Sequence, residues 1–529
     1  MRLRISHKDL GLALFSGVLL ILSFPKFSLS VLAWVGLVPL LIALEGKGLK
    51  RAFFLSCVTG LVFFVGSFYW IWSVSAFNLV NFALLAVYVS PYVGFWGLIV
   101  NWVGKTSGLS AMSIAPPLWV ALEYVRSHVS FLSLPWMLLG HSQYQHPSLI
   151  QITAFTGVYG LSFLIVLMNA AIAETISSVR RGRFEPVTVS ALQRHPLISL
   201  MIAGLPVMAI YLYGASILSR GSEGETIRVA LVQGNIPQKQ KWDESFRQTI
   251  LDRYTSLTRN AVPREGAALI IWPETAVPGD VQHDPKLQRE VGQVAIDMNT
   301  HLLVGSSEYA KFTDRKARDK IYNSMVLLSP EGKVAGEYRK IGLVPFGEYE
   351  PLRGVVTWPK AVASARGDIL PGDEYTLFTV GGTTFGVTIC WENIFPDLFR
   401  EFVKRGARFM VNATNEARFG DTATPHQFLA MSVFRAAENR VAIARVANTG
   451  ISAFIDPFGR VTDRLRGADR KELFVEGVLI GDVVLSKERT FYTRYGDLFA
   501  FATIALCAFT LIYSWLMAGS GRKTKGEAT

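Results

Sequence analysis

Three side chains that could act together in nucleophilic catalysis lie in separate strings of this 529-residue sequence. Glu274 ends the buried-strand pattern Ala267–Glu274, where a proline turns the chain and projects the carboxylate from a sheet edge. Cys390 follows the run Gly-Val-Thr-Ile in the same way, and Lys340 lies between them in an apolar, turn-rich stretch. Because ligands of α/β folds bind beyond the carboxyl ends of strands, these side chains are candidates for one site.

These residue types suit nucleophilic acyl transfer. A free thiol has a pKa near 8.5, so a carboxylate such as Glu274 must take the proton of Cys390 as attack begins. The tetrahedral intermediate then carries negative charge on oxygen, which the Lys340 ammonium and the backbone N–H after the cysteine can stabilise; losing one such donor costs about 3–4 kcal/mol. Each residue alone also has a structural explanation, as a helix cap, a surface charge or a buried thiol. Their joint occurrence in this order points to catalysis.

The elements that position these residues follow from the pattern after Thr226. Short β-branched runs alternate with amphipathic stretches and turn signals, which indicates an α/β sandwich of about 260 residues. The predicted strands are Ile227–Val232, Ala267–Trp272, Leu302–Ser306, Ser324–Leu328, Thr384–Ile389, Arg408–Val411, Val441–Val446, Ile451–Ile455 and Val478–Val484. The predicted helices are Asp243–Asn260, Pro285–Asn299, Pro396–Arg405 and Thr424–Asn439.

The first part of the chain has a different composition. Residues 9–218 are apolar with few acids, whereas 222–490 resemble an ordinary soluble domain. A bilayer core needs roughly 20 apolar residues per helix, so we predict a multi-span α-helical membrane bundle of about eight transmembrane helices. The predicted spans lie near 9–23, 29–44, 52–72, 80–103, 110–126, 155–178, 197–218 and 496–517. The predicted domains are a seven-helix transmembrane bundle at 1–221, a catalytic domain at 222–490, and a final transmembrane helix with a basic tail at 491–529.

The net charge of +12 is concentrated in short breaks between the apolar runs. Under the positive-inside bias, these breaks place both termini in the cytoplasm and residues 222–490 outside. The excess charge therefore reflects membrane topology, and we expect no nucleic-acid partner. Glu123 and Arg126, at one predicted helix end, are interpreted as interfacial anchors rather than an ion pathway. The basic residues of the breaks are Arg2, Arg4, Lys8, Lys47, Lys50, Arg51, Lys105, Arg180, Arg181, Arg183, Arg194, Arg522, Lys523 and Lys525.

Cysteine and histidine usage narrows the chemistry further. Of three cysteines, only Cys390 falls within the predicted soluble domain, which therefore cannot form an internal disulfide. An unpaired thiol in an external domain favours a reactive role. The eight histidines have no metal-ligand spacing, and the sequence contains neither a Gly-x-Ser-x-Gly elbow nor a phosphate loop. We expect no metal and no cofactor.

The order Glu274, Lys340 and Cys390 within these strings resembles the carbon–nitrogen hydrolase (nitrilase) superfamily. The membrane spans, together with Leu231–Gln238 at the start of the domain, narrow the resemblance to the apolipoprotein N-acyltransferase family over essentially the whole chain. The sequence departs from the family at Trp391, where tyrosine is common. This departure bears only on whether the tyrosine hydroxyl is needed. Further strings that match are Trp272–Glu274, Val344–Glu348 and Ala447–Gly450.

The resemblance implies an αββα sandwich whose active site faces the periplasmic side of the bacterial cytoplasmic (inner) membrane. It implies transfer of a phospholipid acyl chain, typically the sn-1 chain of phosphatidylethanolamine, to the N-terminal amine of a diacylglyceryl apolipoprotein. Cys390 would form a thioester, Glu274 would act as general base, and Lys340 would stabilise the oxyanion. Glu348 would orient Lys340 or the base, and we expect a monomer. Supporting roles are implied for Trp391, Glu392, Trp242 and Arg445.

Two alternatives remain open at this stage. A membrane-anchored nitrilase-type amidase acting on a small substrate would share the three catalytic residues but would not need seven preceding spans. A transporter or scaffold with a degenerate domain is disfavoured because the three residues are intact. Two segments, Arg353–Gly372 and Phe419–Phe428, are candidate lids, with ordinary surface loops as the other interpretation.

Overall fold

The computed structural model describes residues 5–74, 78–181, 196–221, 224–310, 320–359, 362 and 369–526. The chain forms two compact units. Unit 1 comprises Met1–Tyr69, Asn81–Ser219 and Asp497–Thr529, and unit 2 comprises Trp70–Val80 and Arg220–Gly496. Trp70–Val80 thus belongs to unit 2, although its neighbours in sequence belong to unit 1.

The elements are numbered along the chain. The helices are α1 His7–Leu22, α2 Val38–Leu44, α3 Leu49–Ser67, α4 Leu79–Thr106, α5 Ala111–His128, α6 Pro147–Ile150, α7 Thr153–Thr156, α8 Tyr159–Arg180, α9 Pro196–Ser219, α10 Gln238–Lys241, α11 Arg247–Ala261, α12 Pro285–Met298, α13 Pro396–Arg405, α14 Thr424–Asn439, α15 Phe491–Tyr495 and α16 Leu498–Gly526. The strands are β1 Thr226–Gln233, β2 Leu269–Ile271, β3 His301–Tyr309, β4 Ile321–Leu328, β5 Val334–Arg339, β6 Phe378–Val380, β7 Thr383–Ile389, β8 Phe409–Thr414, β9 Ala442–Ala447, β10 Ala453–Ile455, β11 Val461–Arg464 and β12 Gly477–Val484.

Within the described residues, five helices are long and apolar enough to cross a membrane. Helix α1 has 16 residues and α2 has 7, fewer than the roughly 20 that a bilayer core requires. The multi-span bundle is confirmed, whereas the total of eight crossings stays a prediction. The five candidate spans are Leu49–Ser67, Leu79–Thr106, Tyr159–Arg180, Leu197–Ser219 and Leu498–Ala518. Of the basic residues used to predict topology, Arg2, Arg4, Arg183 and Arg194 lie outside the described residues.

Glu123 and Arg126 of α5 are buried in unit 1, so their interpretation as interfacial anchors is wrong. The Arg126 guanidinium donates to the carbonyls of Leu134 and Trp136, at 3.2 and 2.8 Å. The Glu123 carboxylate accepts the backbone N–H of Leu139 at 2.6 Å. The two side chains therefore satisfy backbone groups of the segment 134–139, which would otherwise be buried without partners.

Unit 2 contains two six-stranded sheets. The first has the order β12–β1–β2–β3–β4–β5, and β1, β2 and β3 run parallel. The second has the order β11–β10–β9–β8–β7–β6, and β7, β8 and β9 run parallel. Ile389 of β7 pairs with Ala413 of β8. The carboxyl ends of these two strands therefore lie side by side.

The two sheets pack face to face, with β1 contacting β9 and β4 contacting β7. Helices α11 and α12 pack against the first sheet, and α13 and α14 against the second. The core between α11 and the first sheet includes Tyr254 stacked on Trp272, with ring centroids 5.2 Å apart. This arrangement confirms the predicted αββα sandwich.

Helix α12 illustrates how the local sequence sets an element of this fold. The Asp284 side chain caps its first turn by accepting the N–H groups of Lys286 and Leu287, which is worth about 1 kcal/mol. Pro285 occupies the first turn, where a missing N–H costs nothing. Asn299 ends the helix in the left-handed conformation, with φ of +50°. These signals are local, so the helix was predictable from the sequence.

Every predicted strand and every predicted helix of unit 2 has a counterpart in the structure. Helices α13 and α14 match the predicted bounds, and α11 begins four residues later than predicted. The strands that the sequence analysis missed are short or polar. They are β5, β6 and β11.

Gly305 of β3 provides a test of how tightly this sheet is packed behind Glu274. A Cβ at this position would lie 2.3 Å from both the Pro273 carbonyl oxygen and the Thr275 nitrogen. We therefore expect Gly305→Ala to destabilise the full-length protein by about 1–3 kcal/mol, measured by thermal unfolding in detergent. Gly224→Ala, whose Cβ would meet its nearest neighbour at 3.4 Å, is the matched control. Equal unfolding midpoints for the two variants would contradict the tight packing.

Candidate active site

Cys390 stands at a sharp turn where β7 ends. Its φ of +52° lies in the left-handed region, which costs a non-glycine residue about 1–2 kcal/mol. The 3-10 turn Cys390–Ile394 starts at this residue. The residue thus lies at the carboxyl edge of the second sheet and is partly exposed as a whole.

The environment of the Cys390 thiol favours its protonated form. Burial raises its pKa to about 12, and the negative charge of Glu274 adds to the increase. The positive charge of Lys340 and the Thr414 hydroxyl oppose it. At neutral pH the resting cysteine is therefore a neutral thiol, which needs a base to become a nucleophile.

Glu274 is buried just beyond the end of β2, and two donors orient its carboxylate. Its Oε1 accepts the Asn323 side-chain amide at 2.8 Å, and its Oε2 accepts the backbone N–H of Asn415 at 2.7 Å. The backbone carbonyl of Asn323 also accepts the backbone N–H of Lys340 at 2.9 Å. One asparagine of β4 therefore links the carboxylate to the lysine. Each carboxylate oxygen keeps a second lone pair that can accept a proton.

Lys340 follows the end of β5 and is fully buried. Its Nζ donates to Glu348 Oε1 at 2.7 Å, and Glu348 Oε2 accepts the backbone N–H of Val344 at 2.8 Å. Burial alone would lower the pKa of Lys340, but the negative charges of Glu348, Cys390 and Glu274 outweigh burial and raise it. The ammonium therefore stays charged at neutral pH and can stabilise an anion formed at the thiol.

Glu392 joins the segment that carries the lysine to the strand that carries the cysteine. Its Oε1 accepts the Tyr338 hydroxyl at 2.8 Å and the N–H groups of Ile341 and Gly342 at 2.7 and 2.8 Å. Its Oε2 accepts the N–H of Ile389 at 2.7 Å. Burial raises its pKa to about 7, while the backbone donors oppose the increase. The fully buried carboxylate thus satisfies four donors and fixes the lysine relative to the cysteine.

Lys241 is a buried lysine that the sequence analysis did not single out. It is 4% exposed, and its Nζ donates to the backbone carbonyl of Glu274 at 2.6 Å. Burial lowers its pKa to about 7, against the opposing effect of the Glu274 charge. In the sequence it ends the polar run Gln238–Lys241, which indicates a solvated surface. Only its position beside Trp242 could have drawn attention to it.

Asn448 fixes the chain segment that leads to Lys241. Its side chain accepts the N–H of Ile236 at 2.9 Å and donates to the carbonyl of the same residue at 2.8 Å. It also donates to the Asn415 side chain at 3.1 Å. The segment before Lys241 and the loop that binds Glu274 are therefore held by one asparagine.

Arg445 and Glu416 form a fully buried ion pair. The Arg445 guanidinium also donates to the backbone carbonyl of Ile451. Because Glu416 directly follows Asn415, the pair holds the loop whose backbone N–H contacts Glu274. The Arg445 side chain thus supports the site through this loop rather than by reaching the thiol.

The two tryptophans with implied supporting roles, Trp391 and Trp242, lie in different environments. The Trp391 ring packs against Phe395, with ring centroids 5.5 Å apart, in the turn that starts at the cysteine. Trp242 is 57% exposed, and among the described residues it forms no side-chain hydrogen bond or ring contact. The structure therefore brings Trp391 into the site's framework but leaves Trp242 on its surface beside Lys241.

The two candidate lids differ in how they are held. In the first, Arg353–Gly372, residues 360–361 and 363–368 lie outside the described residues. Val355, in the described part, is 84% exposed. In the second, Phe428 is buried and Gln427 accepts the indole N–H of Trp70 at 3.1 Å. A lid role stays a prediction for both.

Comparisons with known proteins cover both parts of the chain. Residues 16–171 match the family described as apolipoprotein N-acyltransferase N-terminal domain, and residues 228–492 match the carbon-nitrogen hydrolase family. The apolipoprotein N-acyltransferase of Geobacter metallireducens is 38% identical over 95% of this chain and 94% of its own. That of Chlorobaculum tepidum is 32% identical over 94% of each chain. A nitrilase-superfamily amidase from Nesterenkonia AN1 aligns with a TM-score of 0.37 and 19% identity, over 49% of this chain and 92% of the amidase.

The raised pKa of Cys390 predicts how the thiol reacts with iodoacetamide. Because only the thiolate reacts, the alkylation rate should rise about tenfold per pH unit between pH 7 and 10. Lys340→Met removes a charge that lowers the thiol pKa, so it should slow alkylation at every pH in this range. Peptide mass spectrometry separates Cys390 from Cys57 and Cys507. A rate that is already constant below pH 9 would mean a preformed thiolate and would contradict this environment.

The four hydrogen bonds that Glu392 accepts predict a loss of folding stability when this residue is replaced. Glutamine would turn an N–H group toward backbone donors that now meet an oxygen, so Glu392→Gln should cost about 3 kcal/mol in the free energy of unfolding. Glu401→Gln is the control, since Glu401 of α13 forms surface pairs with Lys404 and Arg405, and its replacement should change stability by less than about 0.5 kcal/mol. Equal stability of the two variants would refute the four-donor role.

Proposed function

The chain belongs to the apolipoprotein N-acyltransferase family and is an acyltransferase that is itself a membrane protein. We propose that it transfers an acyl chain from phospholipid to the N-terminal amine of diacylglyceryl-cysteine apolipoproteins. The observation that carries the proposal is the grouping of Cys390, Glu274 and Lys340, in which a neutral thiol lies beside a buried carboxylate and a buried, charged ammonium. It lies in a carbon–nitrogen hydrolase domain of a chain with several membrane-length apolar helices.

In the first half-reaction, Cys390 takes the acyl chain from the donor, for which we propose the sn-1 chain of phosphatidylethanolamine. Glu274 accepts the thiol proton while sulfur attacks the ester carbonyl carbon. The Lys340 ammonium and the backbone N–H of Trp391 stabilise the negative charge that develops on the carbonyl oxygen. Collapse of this intermediate breaks the bond to the glycerol oxygen, which takes the proton back from Glu274. The products are a thioester on Cys390 and a lysophospholipid.

In the second half-reaction, the lipoprotein amine attacks the thioester. Glu274 accepts a proton from the amine, and the same donors stabilise the second oxyanion. The carbon–sulfur bond then breaks, the amide product leaves, and the proton returns to the sulfur of Cys390. Because both half-reactions use one base and one oxyanion site, the two substrates act in turn, in a ping-pong order.

The other residues act by holding these three in place. Glu348 orients the Lys340 ammonium through their 2.7 Å hydrogen bond. Glu392 sets the distance between the lysine and the cysteine, and Arg445 holds the loop that binds Glu274. For Trp391 and Trp242 we propose roles in shaping the substrate entrance, supported by their positions next to Cys390 and Lys241.

The proposed location is the bacterial inner membrane, with the catalytic domain on the periplasmic side. The basic residues between the apolar runs support this orientation through the positive-inside bias. The sole thiol of the catalytic domain also suits an oxidising compartment, where a second cysteine would form a disulfide. We propose that the enzyme acts as a monomer, because the base, the ammonium and the thiol all come from one chain.

The proposal predicts a covalent intermediate. Purified protein incubated with phosphatidylethanolamine labelled in its sn-1 chain should carry label that hydroxylamine releases. Cys390→Ala should carry none, and Glu274→Gln should form the adduct about 10²–10⁴-fold more slowly. Cys57→Ala, which changes a cysteine of unit 1, should retain the wild-type rate.

The acceptor half of the same experiment separates transfer from hydrolysis. With a diacylglyceryl peptide present, the label should move to the peptide's N-terminal amine. Label that persists on Cys390→Ala would rule out this thioester. Label released only as free fatty acid, with the acceptor present, would indicate a hydrolase instead.

A further inference from the structure

Arg418 lies at the same sheet edge as the Cys390 thiol. The parallel register of β7 and β8, with Ile389 opposite Ala413, brings the residues that follow each strand together. Arg418 lies four residues beyond Thr414, in the 3-10 turn Ala417–Phe419. Its positive charge acts on both the Cys390 thiol and the Lys241 ammonium. The guanidinium is thus part of the electrostatic surroundings of the thiol.

Unlike Arg435 and Arg445, two buried arginines of unit 2, Arg418 has no anionic partner among the described residues. Arg435 pairs with Glu438, and Arg445 pairs with Glu416. Arg418 is only partly buried, and within the described part of the chain its side chain forms no hydrogen bond or ion pair. A guanidinium held near a reactive thiol without a partner can bind an anion from a substrate.

The turn that carries Arg418 is held on both sides. Before it, the backbone N–H of Asn415 binds Glu274, and Glu416 pairs with Arg445. After it, the Phe419 ring contacts the Trp70 ring edge to face, with centroids 5.3 Å apart, and the Phe419 carbonyl accepts the Ser73 hydroxyl at 3.1 Å. Since the backbone on either side of Arg418 is fixed, ligand binding needs to order only the arginine side chain and not the turn that carries it.

We propose that Arg418 binds the phosphodiester of the phospholipid donor during the first half-reaction. The inference rests on the proposed function, which supplies a donor whose phosphodiester and sn-1 ester share one glycerol. The guanidinium presents paired N–H donors that match two phosphate oxygens, which a lysine cannot reproduce. The diacylglyceryl-cysteine end of the acceptor carries no phosphate. Arg418 therefore selects the donor and does not act on the acceptor.

The test compares donors with and without phosphate. Thioester formation on Cys390 is measured in mixed micelles with dioleoylphosphatidylethanolamine and, separately, with a p-nitrophenyl acyl ester. Arg418→Ala should lower kcat/KM for the phospholipid about ten- to a hundredfold and leave the p-nitrophenyl ester unchanged. Arg418→Lys should lie between the two. Arg289→Ala, an exposed arginine of α12, is the matched control and should match the wild type with both donors.

Three results would overturn the inference. Equal loss with both donors would mean that Arg418 acts on the thiol rather than on phosphate. The arginine would recognise no phosphate if the wild type and Arg418→Ala formed the thioester from phospholipid at equal rates and were inhibited equally by added inorganic phosphate. A slower transfer from preformed acyl-enzyme to the acceptor peptide would place its role in the second half-reaction. If the wild type forms no thioester at all, the proposed function itself fails.

Discussion

The arrangement of unit 2 depends on burying several ionisable side chains around one thiol without leaving any of them uncompensated. An unpaired buried charge costs several kcal/mol, so each needs a counter-charge or hydrogen-bond donors. Lys340 has Glu348, Arg445 has Glu416, and Glu274 has two N–H donors. The thiol stays neutral because burial raises its pKa by more than the nearby charge of Lys340 lowers it. A buried carboxylate and a charged ammonium can therefore surround a nucleophile that becomes charged only during attack.

The same constraint explains why the site spans both sheets. Asn323 of β4 contacts Glu274 and holds the backbone of Lys340, while Glu392 ties the residues after Lys340 to the end of β7. The Glu392 side chain thus connects the lysine segment of the first sheet to the cysteine strand of the second, while Asn323 joins Glu274 to the lysine through its side chain and its backbone carbonyl. The left-handed backbone of Cys390 is strained, and the hydrogen bonds of Glu392 to neighbouring N–H groups help to maintain it. Positioning by buried polar groups gives little tolerance for substitution.

Much of this architecture was predictable because its signals are local. β-Branched runs identified nine strands, and capping residues and spacing identified α12 and α14. β11, Val461–Arg464, was missed because three of its four residues are polar, and β6 has only three residues. Glu274, Lys340 and Cys390 stood out at strand or turn ends. Lys241, Asn323 and Asn415 did not, since their importance comes from contacts with residues distant in sequence. Burial of Glu123 and Arg126 likewise depends on a loop that folds back onto α5.

The chemistry of this site depends above all on the protonation state of Cys390 in the resting protein. The infrared S–H stretching band, in the difference spectrum between wild type and Cys390→Ala at pH 7, measures it directly, because the bands of Cys57 and Cys507 cancel. A neutral resting thiol should give an S–H band assigned to Cys390 that is lost only in strongly alkaline solution. A difference spectrum without this band at pH 7 would show a resting thiolate and would contradict the role of Glu274 as the base that activates a neutral thiol.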